Sequence, residues 1–162
     1  MDVDESQRLF KRLYISGEDL AMARQFATFL IKKQWHQTPW ERRGSIYMQQ
    51  TAFTSALVIF YARPFTRSAG LPSFPKRLLR FDESEEALHK TLLTLRHKVY
   101  AHSDDESYEV RPISFGRGFQ TAIFRPPHFK LSGDETKRAI VIIDKLLVGI
   151  TSELSELGKE LT

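Results

Sequence analysis

Ser132-Gly133-Asp134-Glu135 opens the longest periodic segment of the chain, SGDETKRAIVIIDKLLVGITSELSELGKEL over residues 132–161. Ser132 is a helix-capping residue, and Glu135 three positions on completes a capping box. Ile140, Ile143, Leu147, Ile150, Leu154, Leu157 and Leu161 then recur at helical spacing. The spacing predicts a helix of about 28 residues, roughly 40 Å long at 1.5 Å rise per residue. A helix of that length reaches past its own bundle and can support a dimer.

Upstream of it, 108–113 and 119–124 alternate apolar and polar residues like two strands. Phe115-Gly116-Arg117-Gly118 supplies the turn, and Pro112 demands an edge position. Arg125-Pro126-Pro127-His128 reads as irregular. A third helix is expected from near Asp82 or Ser84 to near Ala101–Ser103. Leu88, Leu92, Leu95, Val99 and His102 share one stripe on it, and His89, Leu93, Arg96 and Tyr100 an adjacent one. Residues 63–82 carry three prolines and one glycine, a long connection with a short helical turn near Pro75–Leu79. Connections of this length are often functional. Thr38-Pro39-Trp40-Glu41 starts a second helix, with threonine as cap and proline in the first turn. Arg63-Pro64 stops it at Ala62. Its half from Phe53 to Ala62 is apolar all round, which places it in the middle of a bundle. The first helix is expected to start at Ser16, with Asp19 as a loose capping box and Leu20, Ala23, Ala27, Leu30 and Ile31 as its stripe. Together these elements make 1–162 a single, mainly all-α domain. It is an up-and-down helical bundle with a β-hairpin inserted before the long C-terminal helix.

Composition narrows the function classes. A chain of 162 residues is long enough for one full core. With no cysteine, disulfides and thiolate chemistry are excluded, and a cytoplasmic location is favoured. The acidic start Met1-Asp2-Val3-Asp4-Glu5 is unlike a signal peptide. The longest apolar runs, Ala56–Ala62 and Ala139–Ile143, are too short to span a bilayer, so no membrane association is expected. A net charge of +4 permits nucleic-acid binding without requiring it. Twelve phenylalanines point to a tightly packed core or to surface hidden by self-association. The chain has no phosphate-loop or dinucleotide glycine pattern, and no nucleophile elbow. The histidines lack zinc-site spacing, and Asp82, Glu83, Glu85 and Glu86 suit a helix N-terminus better than a metal. No cofactor and no metal are expected.

The chemistry concentrates at Leu95-Arg96-His97-Lys98-Val99-Tyr100-Ala101-His102-Ser103-Asp104. Arginine is a permanent forked cation suited to phosphate. Histidine moves protons near neutral pH. Six residues leave Arg96 and His102 about 120° apart on a regular helix. They reach one phosphate only if the helix ends or bends near Ala101, or if two subunits contribute. The plain alternative makes His102 a core histidine on the Leu88–Val99 stripe and Arg96 a surface or interface cation. His97 is a polar neighbour of the arginine, or simply an exposed histidine. Tyr100 can stack on a base or pack between helices. Ser103 and Asp104 end the helix locally, and Asp104 can also orient a histidine ring. Arg63 and Arg67 bracket Pro64-Phe65-Thr66, placed to bind phosphates or to pair with the acidic 82–86 segment. Arg111, Arg117 and Arg125 give the hairpin a solvated cationic face.

The run Arg96-His97-Lys98-Val99-Tyr100-Ala101-His102 resembles the signature of the HEPN superfamily: arginine, a polar residue, three to five further residues, then histidine. The Ala-His-Ser-Asp ending is similar to that of toxin-like and phage-defence branches. The resemblance is specific over about ten residues and elsewhere rests on helix order alone. It implies a HEPN-like bundle, a homodimer whose paired motif helices share one cleft, and metal-independent endoribonuclease activity. In that scheme His102 is the general base, Arg96 steadies the phosphate, and His97 positions them or the RNA substrate. His97 departs from the more usual asparagine, which changes the fine geometry. A toxin or abortive-infection role and an antitoxin or nucleotidyltransferase-type partner follow by analogy. Two rivals stand beside it. One is a non-catalytic HEPN-like module that binds RNA, a nucleotide or a partner. The other is a purely structural dimerising helical protein, favoured by the modest charge and the stripe position of His102.

Overall fold

Helix α1 (Val3–Lys33) packs along both the second helix and the last. The computed structural model describes residues 3–36, 45–97, 109–114, 120–125 and 131–161. In chain order α1 is followed by α2 (Ile46–Ala62), 3₁₀ turns at Arg63–Phe65 and Lys76–Leu78, and α3 (Glu83–Leu95). Strands β1 (Glu109–Ser114) and β2 (Gln120–Arg125) and helix α4 (Gly133–Leu161) complete it. The protein is mainly helical, with one small antiparallel hairpin ahead of the last helix.

The first helix does not start at Ser16. It starts at Val3, and Ser6, Leu9, Arg12, Leu13, Ser16, Asp19 and Leu20 form one buried face through both halves. Three of the positions before Asp19 on that face are polar, so the apolar stripe was broken in the sequence although the helical period was not. The middle of the bundle is shared between α1 and α2. Helix α1 packs most extensively, along α4 and α2, while α2 lies between α1 and, more lightly, α3. Within Phe53–Ala62, Leu57, Val58, Tyr61 and Ala62 are buried while Ile59 is 38% exposed. An apolar composition all round did not mean burial all round, because Phe53 and Phe60 cover Phe26 and Phe29 of α1 from one side only.

The fully buried side chains come from all four helices: Leu13, Leu20 and Leu30; Leu57, Val58 and Tyr61; Leu92; Ile142, Ile143, Leu146 and Ile150. Each such leucine or isoleucine contributes on the order of 1.5–3 kcal/mol by leaving water. The capping box of α4 is formed. Glu135 N donates to Ser132 Oγ at 3.1 Å, and Ser132 N donates to Glu135 Oε2 at 2.8 Å. Its apolar face is wider than the single stripe, since Ala139, Ile142 and Leu146 are buried as well. Helix α3 has the same device. Glu85 N donates to Asp82 Oδ1 at 2.8 Å and Asp82 N to Glu85 Oε2 at 3.0 Å. Glu85 is buried and its other carboxylate oxygen accepts from Lys145, which ties α3 to α4.

Pro112 pairs with Ala122 in the hairpin register. Among the described residues the sheet has only these two strands, so both are edges, the position Pro112 demands. The start signal at 38–41, the hairpin turn at 115–118, the 126–128 segment and the end of the third helix lie outside the described residues. Among the described residues no helix is long and apolar enough to cross a membrane.

Candidate functional site at the end of α3

Helix α3 buries Leu88, His89, Leu92 and Leu95 and so delivers Arg96, half-buried, to its C-terminal edge. There the helix widens. Arg96 and His97 lie in a π-helical turn, a feature that recurs at functional sites. Arg96 N donates to both Leu92 O and Leu93 O. The Arg96 side chain bends over its neighbour, and Nη1 donates to His97 Nδ1 across 3.2 Å. That bond requires an unprotonated Nδ1 and holds the guanidinium plane against the exposed imidazole. His102, Tyr100, Ser103 and Asp104 lie outside the described residues.

The other two expected arginines are on the connection after α2, with no bond to Arg96 or His97 among the described residues. Arg63 does not pair with the acidic 82–86 segment. Its Nη1 lies 3.0 Å from Asp19 Oδ1 on α1, and its guanidinium carbon 5.3 Å over the Phe60 ring. The acidic segment is used elsewhere: Glu85 on Lys145, and Glu86 on Lys90 at 3.3 Å. Asp19 is buried, which raises its pKa, and Arg63 and then Arg12 oppose the rise. Arg67 is exposed and, with the buried Arg12, lines a cavity of about 470 Å³ enclosed by residues 65–74. Arg12 donates through Nη2 to Pro64 O and, at 3.0 Å, to Thr66 O. Arg8 anchors the same loop by donating to Gly70 O at 3.0 Å. Gly70 has φ 76°, the left-handed conformation that favours glycine. Sequence reasoning missed Arg12 because it lies ahead of Ser16, where the first helix was expected to start. The available signal was its place in line with Leu9 and Ser16, visible only once the helix is extended to Val3.

A second missed feature joins α2 to α3. His89 is 6% exposed, inside a box of rings from Tyr61, Phe65 and Phe81 at centroid distances of 5.8, 4.7 and 5.1 Å. Tyr61 Oη and His89 Nδ1 are 2.8 Å apart. Burial pushes the Tyr61 phenol far above its ordinary range, so it stays protonated and donates. Burial lowers the His89 pKa, Glu86 partly opposes that, and Lys90 reinforces it. The imidazole is therefore neutral with its proton on Nε2. Because the folded value is depressed, the stability conferred by neutral His89 is complete above the unfolded value of about 6.5. It is lost as pH falls from there through the lowered folded value. We expect the melting temperature to fall as the pH is lowered below about 6.5, with a shallower fall in His89→Gln. Equal pH slopes in thermal melts of the two proteins would contradict this.

Among the described residues no three histidine or carboxylate side chains gather as a metal site. No protein family, curated protein or solved structure matches the chain.

Proposed function

We propose that the protein is a HEPN-like, metal-independent endoribonuclease acting as a toxin or phage-defence effector in the cytoplasm. The observation that carries the reading is Arg96, set at the widened end of α3 against His97, six residues ahead of His102. The helical bundle with a hairpin before its last helix supports it. His102 takes the proton from a ribose 2′-hydroxyl as general base. The 2′-oxygen attacks the adjacent phosphorus, and Arg96 stabilises the charge that grows on the phosphoryl oxygens. The bond to the 5′-oxygen breaks, and that oxygen takes up a proton from the imidazolium or the water around it. The products are a 2′,3′-cyclic phosphate and a 5′-hydroxyl. His97 holds the guanidinium plane, and Tyr100, Ser103 and Asp104 border the substrate. Two copies related by a two-fold axis near the α3 helices form the shared cleft, and an antitoxin or nucleotidyltransferase-type partner restrains it. Purified protein is expected to cut RNA in the presence of EDTA and to leave DNA of the same sequence intact. Cleavage abolished by EDTA, or cleavage of the DNA, would overturn the reading.

One observation favours a non-catalytic dimeric or partner-binding module instead. Val141 and Val148 are 50% and 72% exposed and border, with Leu78 and Gly149, an open groove of about 740 Å³. Uncovered valines one heptad apart suit helix–helix association. RNA binding without cleavage selects that reading.

A further inference from the structure

Residues 65–74 wrap the N-terminal half of α1 and enclose the 470 Å³ cavity whose wall includes Arg12, Arg67, Ser68, Ser73, Phe65 and Phe74. No carboxylate is among its lining residues. The wall is held in place before any ligand arrives. Arg8 fixes the Gly70 carbonyl, Arg12 fixes those of Pro64 and Thr66, and Phe65 packs edge-on against Phe74 at 5.1 Å. Thr66 Oγ1 is already committed to Arg63 O at 2.9 Å, which leaves Ser68 and Ser73 as the hydroxyl donors of the wall.

The charge is unbalanced. Arg12 is only 4% exposed, and its Nε has no acceptor among the described residues. A buried cation is costly unless a carboxylate pairs with it. The carboxylate that acts on Arg12 is Asp19, and Asp19 is held by Arg63 at 3.0 Å. Two arginines thus share one acid, and Arg67 adds a third cation at the mouth. The side-chain bonds of Arg12 go to the neutral carbonyls of Pro64 and Thr66 rather than to a carboxylate, and a guanidinium so placed beside an open, acid-free cavity is complementary to an incoming anion. Its planar fork matches the oxygens of a phosphate.

We infer that this cavity is a phosphate-binding site, with Arg12 as its buried anchor and Arg67 closing over the anion from the solvent side. Ser68 and Ser73 donate to the remaining oxygens, and Phe65 and Phe74 pack against the organic part. The phosphate belongs to a small phosphomonoester or to the 5′ end of an RNA. The inference stands apart from the cleavage chemistry, since it uses neither Arg96 nor His102.

The test is made with the full chain carrying His102→Gln, so that RNA stays intact. Inorganic phosphate, adenosine monophosphate, and one RNA oligomer with a 5′-phosphate or a 5′-hydroxyl are titrated by calorimetry and by amide shifts. Saturable binding is expected, with the shifts centred on residues 65–74. Arg67→Ala, at an exposed position, should weaken it by roughly tenfold or more with an unchanged melting temperature. Arg12→Lys should weaken it as well. If that variant fails to fold, Arg67→Ala and Ser73→Ala carry the test. Adenosine monophosphate binding tighter than the RNA marks a small-molecule site, and preference for the 5′-phosphorylated RNA marks an RNA-end site. No saturable binding at millimolar ligand, binding indifferent to Arg67→Ala, or shifts centred elsewhere would overturn the inference.

Discussion

His102→Gln is expected to stay folded and dimeric while RNA cleavage falls by roughly a hundredfold or more, the usual scale for losing an acid–base group. Glutamine keeps much of the volume and some of the hydrogen bonding of histidine, but it cannot take a proton near neutral pH. Arg96→Lys should be impaired as well. Lysine keeps the charge but loses the planar fork, and with it the hydrogen bond that now sets Arg96 against His97. Initial rates on a short RNA, with a thermal melt for each variant, separate the outcomes. Wild-type cleavage by His102→Gln removes the histidine from catalysis. A melt many degrees lower, with activity lost in proportion, makes His102 a packing residue on the α3 stripe.

The largest stability effect is expected at Leu20. Leu20 is completely buried on α1, the helix that packs along both α2 and α4. Leu20→Ala removes its transfer free energy and leaves a cavity, at a cost of about 2–5 kcal/mol. In a chain of this size each kcal/mol lowers the melting temperature by about 2–4 °C. Denaturant unfolding of the variant measures the loss directly. A loss well under 1 kcal/mol would show that Leu20 does not sit in the core.

How much of this was legible follows from what each segment had to satisfy. Helix α4 could be read almost to the residue, because a capping box and an unbroken apolar period both mark it. The start of α3 and the presence of the hairpin, though each strand begins one residue later than its alternation suggests, were readable for the same reason: local rules fix them. The first half of α1 was not. Its buried face carries Ser6, Arg12 and Ser16, and the carbonyls that hold Arg12, those of Pro64 and Thr66, are distant in sequence. The Tyr61–His89 pair was hidden likewise, since nothing local links residues on different helices. Of the candidate site, the motif names Arg96 and His97, and the structure shows their side chains in contact. The partner of Arg63 could not be read, because Asp19 lies on the half of α1 that looked like a helix start.

The central claim is that the 2′-hydroxyl at the cut site is the nucleophile. The measurement that bears on it most directly uses one RNA oligomer made with ribose, or with a single 2′-deoxyribose, on the 5′ side of the mapped cut. The account predicts that the ribose oligomer yields a 2′,3′-cyclic phosphate and a 5′-hydroxyl, and that the single deoxy substitution abolishes that cut while cuts elsewhere persist. Cleavage at the substituted position, or products ending in a 3′-hydroxyl, would contradict it.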